Sequence, residues 1–184
     1  MPHISILSAS VRTGRNSHRV ALYFKNYITE NNIATVEILD LMEYNFPLFE
    51  ERLKLQKNPS TKTLEFAEKI KASDGIIIVT PEYNGGYPAS LKNVIDLLLE
   101  EWLYKPIAIA TASAGPFAGL QSIISLQFTL WKMKAWTITE MFAVPKVQEA
   151  YDETGKAIDE EGSDKRAATF IKELMRCIKM GTSS

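Results

Sequence analysis

The chain has 184 residues, 46% hydrophobic and 23% charged, which is ordinary globular usage and disfavours both a disordered and a membrane protein. A formal net charge of −1 gives no broad basic surface for nucleic acid. One cysteine, Cys177, rules out an intramolecular disulfide, and with only His3 and His18 beside it no metal-ligand cluster is visible.

The first apolar run, residues 4–7, reads as a short buried strand. It leads into the polar loop 8–16, "SASVRTGRN", and then into a helix from Ser17 with Val20, Tyr23, Phe24 and Tyr27 on one face. Residues 35–39 form the second strand. A long irregular stretch, 41–59, precedes a helix capped by Ser60 and running to about Lys71. The third strand, 76–80, is too short to cross a bilayer. It runs into "PEYNGGYP", residues 81–88. Asn84-Gly85 is a hairpin signal, yet Leu91, Val94, Ile95, Leu98 and Trp102 recur at helical spacing, with Pro88 suited to a first turn. The order strand, loop, helix is therefore expected.

A fourth strand, 107–111, ends in "ASAGPFAG". The next helix takes Leu120, Ile123, Ile124, Phe128 and Trp131 as its apolar face, and residues 136–138 are the fifth strand. Residues 145–162 are acidic and turn-rich, read as a surface loop. The closing helix starts near Asp164, with Ala167, Phe170, Ile171, Leu174 and Ile178 inward. Five strands alternating with five helices imply an α/β fold, a parallel sheet covered on both faces, in the doubly wound order 2-1-3-4-5. No linker or repeat divides the chain, so a single domain, 1–184, is expected. The start Met1-Pro2-His3-Ile4 lacks the pattern of a secretory signal, and a lone cysteine suits a reducing cytoplasm. Cys177 lies near the last helix's apolar stripe and reads as a packing residue.

In that strand order ligands bind where the first and third strands part, between loops 8–16 and 81–87. The first loop ends at a helix amino terminus, where free N–H groups and the helix dipole favour an anion. Ser10 and Ser17 offer hydroxyls, Gly14 a close turn, and Arg12 or Arg15 a guanidinium fork. The alternative is a solvated turn with a serine cap. Neither G-x-x-x-x-G-K-[ST] nor G-x-G-x-x-G is present, and Ser8, Ala9 and Ser10 stand where a receiver domain would carry acidic residues; a mononucleotide site remains. Pro81, Tyr83, Asn84, Gly85 and Gly86 suit a flat polar ligand. Ser113 and Gly115, on a third loop, sit at the same sheet edge, with an ordinary turn as the alternative.

Ser10-Val11-Arg12-Thr13-Gly14 resembles the G-S-x-R-x-G phosphate loop of the NADPH-dependent FMN reductase family, a flavodoxin-like group that includes quinone, azo-dye and chromate reductases. Pro81-Glu82-Tyr83-Asn84 matches its P-E-Y-N signature, and Pro88, Leu91-Lys92-Asn93 and Asp96 match the continuation P-x-x-L-K-N-x-x-D. The resemblance implies a flavodoxin-like three-layer sandwich. It implies that Ser10, Arg12, Asn16 and Ser17 hold FMN phosphate, with Gly14 in the loop's turn. It also implies that Pro81, Glu82, Tyr83 and Asn84 contact the flavin, with Ser113 and Gly115 beside its ring. Ala9 departs from the usual glycine and Arg15 from a frequent serine.

The implied activity is hydride transfer from NADPH or NADH to flavin N5, then electron delivery to a small-molecule acceptor such as free flavin, a quinone, an azo compound or chromate. No protein acid or base is required, and Glu82 reads as a carboxylate bonded to backbone. A flavodoxin-like electron carrier without NAD(P)H oxidation is the alternative. The family also implies a homodimer or homotetramer using the helix after P-E-Y-N, where Leu97 and Leu99 flank the main stripe.

Overall fold

A computed structural model of the chain describes residues 1–181; the last three positions of the expected 1–184 domain lie outside the described residues. In chain order the elements are β1 (His3–Ser8), α1 (Ser17–Glu30), β2 (Thr35–Asp40), α2 (Leu41–Tyr44), α3 (Thr61–Ala72), β3 (Gly75–Pro81), α4 (Ala89–Leu97), β4 (Pro106–Ala112), α5 (Leu120–Lys132), β5 (Trp136–Val144), α6 (Val147–Ala150) and α7 (Glu160–Gly181). The strands form one sheet in the order β2-β1-β3-β4-β5, every pair parallel.

β3 and β4 sit inside the sheet because their side chains are apolar on both faces. Ile76, Ile77, Ile78 and Val79 are all 0% exposed. Alternation sends Ile77 and Val79 to a core with Phe24 of α1 and Phe170 of α7, and Ile76 and Ile78 to a core with Phe66 of α3, Ile95 of α4 and Leu126 of α5. These are the three layers the sequence implies.

Several boundaries differ from the sequence reading. α4 ends at Leu97; Leu98 is extended, and residues Glu100–Trp102 form a separate 3₁₀ turn. Glu100 and Glu101 would place negative charge on the helix's carboxyl end, which the dipole disfavours, and Glu101 instead accepts a hydrogen bond from the Leu99 N–H at 3.0 Å. Leu98 and Trp102 are buried all the same. β5 runs to Val144, beyond the expected 138, because an edge strand tolerates the exposed Thr139, Glu140 and Met141 that mask its pattern. α7 begins at Glu160, one turn earlier than expected, with two glutamates in its first turn.

α5 is turned relative to the sequence reading. Ile123, Leu126 and Leu130 face the core, whereas Leu120, Ile124, Phe128 and Trp131 are exposed. The stretch after β2 is packed rather than loose, since Tyr44 and Phe46 stack on each other and meet Phe66 edge-on.

Residues 145–162 also dock instead of forming a free loop. Val147, Tyr151 and Ala157 are buried in the α1–α7 core, and Tyr151 packs 4.9 Å from the Tyr23 ring. The close approach depends on Gly155, at φ +82°, where an added Cβ would stand 2.5 Å from the Tyr23 nitrogen and 2.6 Å from Leu22 Cβ. Both obstacles are parts of a helix that cannot swing aside. Gly155→Ala is expected to lower unfolding stability by about 2–4 kcal/mol, combining left-handed strain with overpacking; urea denaturation checks it.

Candidate functional site

Three loops rise from the carboxyl edge of the sheet: residues 9–16 after β1, 82–88 after β3 and 113–119 after β4. At the base of the first, Ala9 is fully buried, its N–H donates to Val79 O at 3.0 Å, and its carbonyl accepts from Ser90 Oγ of α4 at 2.6 Å. Both backbone groups are satisfied without positive φ, so nothing here demands the glycine that is usual at this position. Gly14 does sit at φ +68°, which favours glycine, and an added Cβ would meet open space.

The carboxyl end of this loop has anion-binding character. Asn16 takes the cap position of α1 without a side-chain cap bond, and Ser17 opens the helix. The first-turn N–H groups of a helix have no acceptor within it. Ser17 Oγ is buried and has no hydrogen-bond partner within the protein. Arg12 is exposed and makes no ion pair among the described residues, so its guanidinium is available.

Arg15 behaves differently. Its guanidinium forms a two-pronged ion pair with Asp40, the last residue of β2, and donates to the Ser10 carbonyl at 2.9 Å. The side chains are 13% and 5% exposed, so Arg15 is neither a solvent charge nor a second free cation. Asp40 also accepts from the Met42 N–H at 3.0 Å, capping α2, and lies 3.7 Å from His18 Nδ1. His18 shares a hydrogen bond of 3.0 Å with Ser8 Oγ. Burial, and then the Arg15 charge, hold the imidazole pKa below its ordinary value, which favours the neutral ring.

In the second loop, Tyr83 and Gly86 exchange backbone hydrogen bonds of 2.8 and 3.1 Å around Asn84 and Gly85. Both central residues have positive φ, 53° and 78°, as a type I′ turn needs. Asn84-Gly85 therefore makes a tight turn, but one nested inside the strand-to-helix loop. Pro81 closes β3 beside Ala112. Glu82 accepts from the Gln121 N–H at 3.0 Å, so its carboxylate caps the first turn of α5 and joins the second loop to the third. Between these loops, Tyr83 Oη meets Ser10 Oγ at 2.8 Å.

In the third loop, Ser113 Oγ donates to the Gly115 carbonyl at 2.8 Å, and Lys146 N–H donates to the same oxygen at 3.1 Å. Gly115 has space where a Cβ would be. Gly119, at φ +75°, packs against Glu82 and Thr111. The structure thus gathers Ser10, Arg12, Gly14, Asn16 and Ser17 around one loop and Pro81 to Asn84 around its neighbour, while Ser113 and Gly115 are tied within their own loop. Sequence reasoning missed Asp40, His18, Ser90 and Gly119. Asn93 also acts locally: it accepts from Phe49 N–H at 2.6 Å and donates to Pro47 O at 2.9 Å, bracing the stretch after α2. Lys92 and Asp96 form an exposed pair of small energetic weight. A hollow of about 240 Å³ lies beside Val11, between Leu41, Phe46, Ala89 and Val94. No helix among the described residues is long and apolar enough to cross a membrane.

A parallel sheet in this order, with an anion-ready helix terminus where β1 and β3 part, defines a flavodoxin-like α/β protein. The family model for NADPH-dependent FMN reductase matches residues 2–149. The chain is 32% identical over 144 residues to an NAD(P)H-dependent FMN reductase of Saccharomyces cerevisiae, covering 71% of this chain and 74% of that one. It is 31% identical over 122 residues to a quinone reductase of Escherichia coli, covering 63% and 65%. A solved flavoenzyme, the NAD(P)H:(acceptor) oxidoreductase FerB of Paracoccus denitrificans, shares the fold at TM-score 0.76 and 21% identity, with 96% of this chain and 98% of that one covered. The chain belongs to the NADPH-dependent FMN reductase family.

Removing Asp40 would strand the largely buried Arg15 charge and free the loop carbonyl it holds. Asp40→Ala is expected to lower stability by about 3 kcal/mol, in the range for breaking a buried pair from one side, whereas replacing both with Asp40→Asn and Arg15→Gln should cost less. Guanidinium denaturation of the three proteins checks this.

Proposed function

We propose that the chain is an FMN-dependent oxidoreductase that takes hydride from NADPH or NADH and passes electrons to a small-molecule acceptor such as free flavin, a quinone, an azo compound or chromate. The observation that carries the reading is the buried Ser17 Oγ in the first turn of α1, without a hydrogen-bond partner in the protein, with an exposed Arg12 in the loop that leads into that turn. A buried hydroxyl without a partner is costly unless a ligand satisfies it. A phosphate at the helix terminus does so, and the open space at Gly14 lets it approach. The donor set fits a phosphate dianion.

On this reading Ser10, Arg12, Asn16 and Ser17 hold the phosphate. Pro81, Glu82, Tyr83 and Asn84, with Ser113 and Gly115 opposite, border the ring. Bound there, FMN supplies the hydride acceptor and the electron store. The protein's part is to orient and to shield. Glu82 is committed to the α5 terminus, so it braces two ring-facing loops instead of moving a proton. Tyr83, 37% exposed, offers a face for stacking.

The whole chain acts as one FMN-binding domain in the cytoplasm. Its Cys177 thiol, raised in pKa chiefly by burial and packed against the core, is not a reactive group. The protein works as a homodimer or homotetramer; in the helix after P-E-Y-N, Leu97 is only 6% exposed and adds little surface to a contact there. Leu120, Ile124, Phe128 and Trp131 instead make a continuous exposed stripe on α5, with Ile124 at 73% and Trp131 at 67%.

The purified protein supplemented with FMN should show a perturbed flavin spectrum that bleaches on anaerobic addition of NADPH or NADH. A bound flavin that stays oxidised with both would contradict the reductase and indicate an electron carrier. Light scattering should give a dimer or tetramer, and Ile124→Glu with Trp131→Glu should give monomers. An unchanged mass in that variant would place the interface elsewhere.

A further inference from the structure

Tyr83 reaches across the crevice, and its hydroxyl contacts Ser10, 73 positions away. Ser10 is 1% exposed and held from several sides. Arg15 donates to its carbonyl at 2.9 Å, the Arg12 N–H points at Oγ at 3.4 Å, and Tyr83 Oη lies 2.8 Å from the same Oγ. A serine hydroxyl has one proton and two acceptor lone pairs. The Arg12 N–H can only donate, so it takes one lone pair. The direction of the Tyr83 bond then decides what Ser10 presents to the loop's interior. Were Ser10 the donor, its remaining lone pair would face any anion at the α1 terminus and repel it. With Tyr83 as donor, both lone pairs are filled and the serine proton is left to give. A phenolic hydroxyl is also an intrinsically stronger hydrogen-bond donor than an aliphatic one.

We propose that Tyr83 is a positioning residue for phosphate recognition: it donates to Ser10 Oγ and so directs the serine proton to the anion at the first turn of α1. The inference rests on the function proposed above, in which that anion is the FMN phosphate. One side chain then serves both ends of the ligand, its ring at the flavin and its hydroxyl at the phosphate loop. Discrimination between phosphorylated and unphosphorylated flavin becomes a property of the second loop as well as the first.

The test is flavin fluorescence titration of flavin-free protein with FMN and with riboflavin. Tyr83→Phe keeps the ring, and at 37% exposure the site accepts it without loss of folding, which thermal melting without ligand verifies. Affinity for FMN is expected to fall about tenfold, the scale of a hydrogen bond to a charged group, while riboflavin affinity changes less than about twofold. Ser10→Ala should show the same selective loss, and the double variant should be no worse than Ser10→Ala alone, because Tyr83 acts through Ser10. Equal weakening of both ligands, an unchanged FMN-to-riboflavin ratio, or additive losses in the double variant would overturn the assignment. Wild-type protein that binds neither flavin would remove the proposed function and this inference with it.

Discussion

The site follows from one topological constraint: β1 lies beside β3, and the chain leaves the two strands over opposite faces of the sheet. Right-handed crossovers force this arrangement, since β1 connects outward to β2 and β3 connects the other way to β4. α1 therefore packs with α7 on one side, and α4 packs with α3 and α5 on the other. The loops that begin side by side, at the Ala9–Val79 hydrogen bond, must diverge. The gap they leave points a helix amino terminus at one end and a tight Asn84-Gly85 turn at the other.

Electrostatics refine that gap. Two arginines enter the first loop, but Asp40 takes Arg15 into a nearly buried pair, and only Arg12 remains for a ligand. The pair links the loop to the end of β2 and to α2, so an interaction that contributes modest net stability fixes the shape of the loop. His18, held toward its neutral form, adds no further positive charge beneath the helix terminus. Glu82 makes the corresponding tie between the second and third loops.

Much of the fold was legible because the central strands are apolar on both faces and the loops carry turn chemistry that few other conformations use. The sheet order, the three layers and the positions of the two main loops could be read that way. The misreadings have common physical causes. α5 carries two apolar stripes, and the one with the larger residues faces outward, so periodicity alone favoured the wrong side. β5 is an edge strand with exposed polar residues, and the end of α4 kept its apolar spacing while its backbone changed. Within the site, the residues following strand ends were visible individually, but their bonds were not. Arg15 meets Asp40 and Ser10 meets Tyr83 only after the sheet brings distant segments together, and neither contact leaves a local pattern.

The most direct measurement is a crystal structure of the protein grown with FMN. Electron density for the phosphate is expected at the first turn of α1, within hydrogen-bond distance of Ser17 Oγ, with the ring bordered by residues 81–87 and the Arg15–Asp40 pair undisturbed. Flavin found outside this crevice, or a phosphate held by an Arg15 released from Asp40, would contradict the assignment.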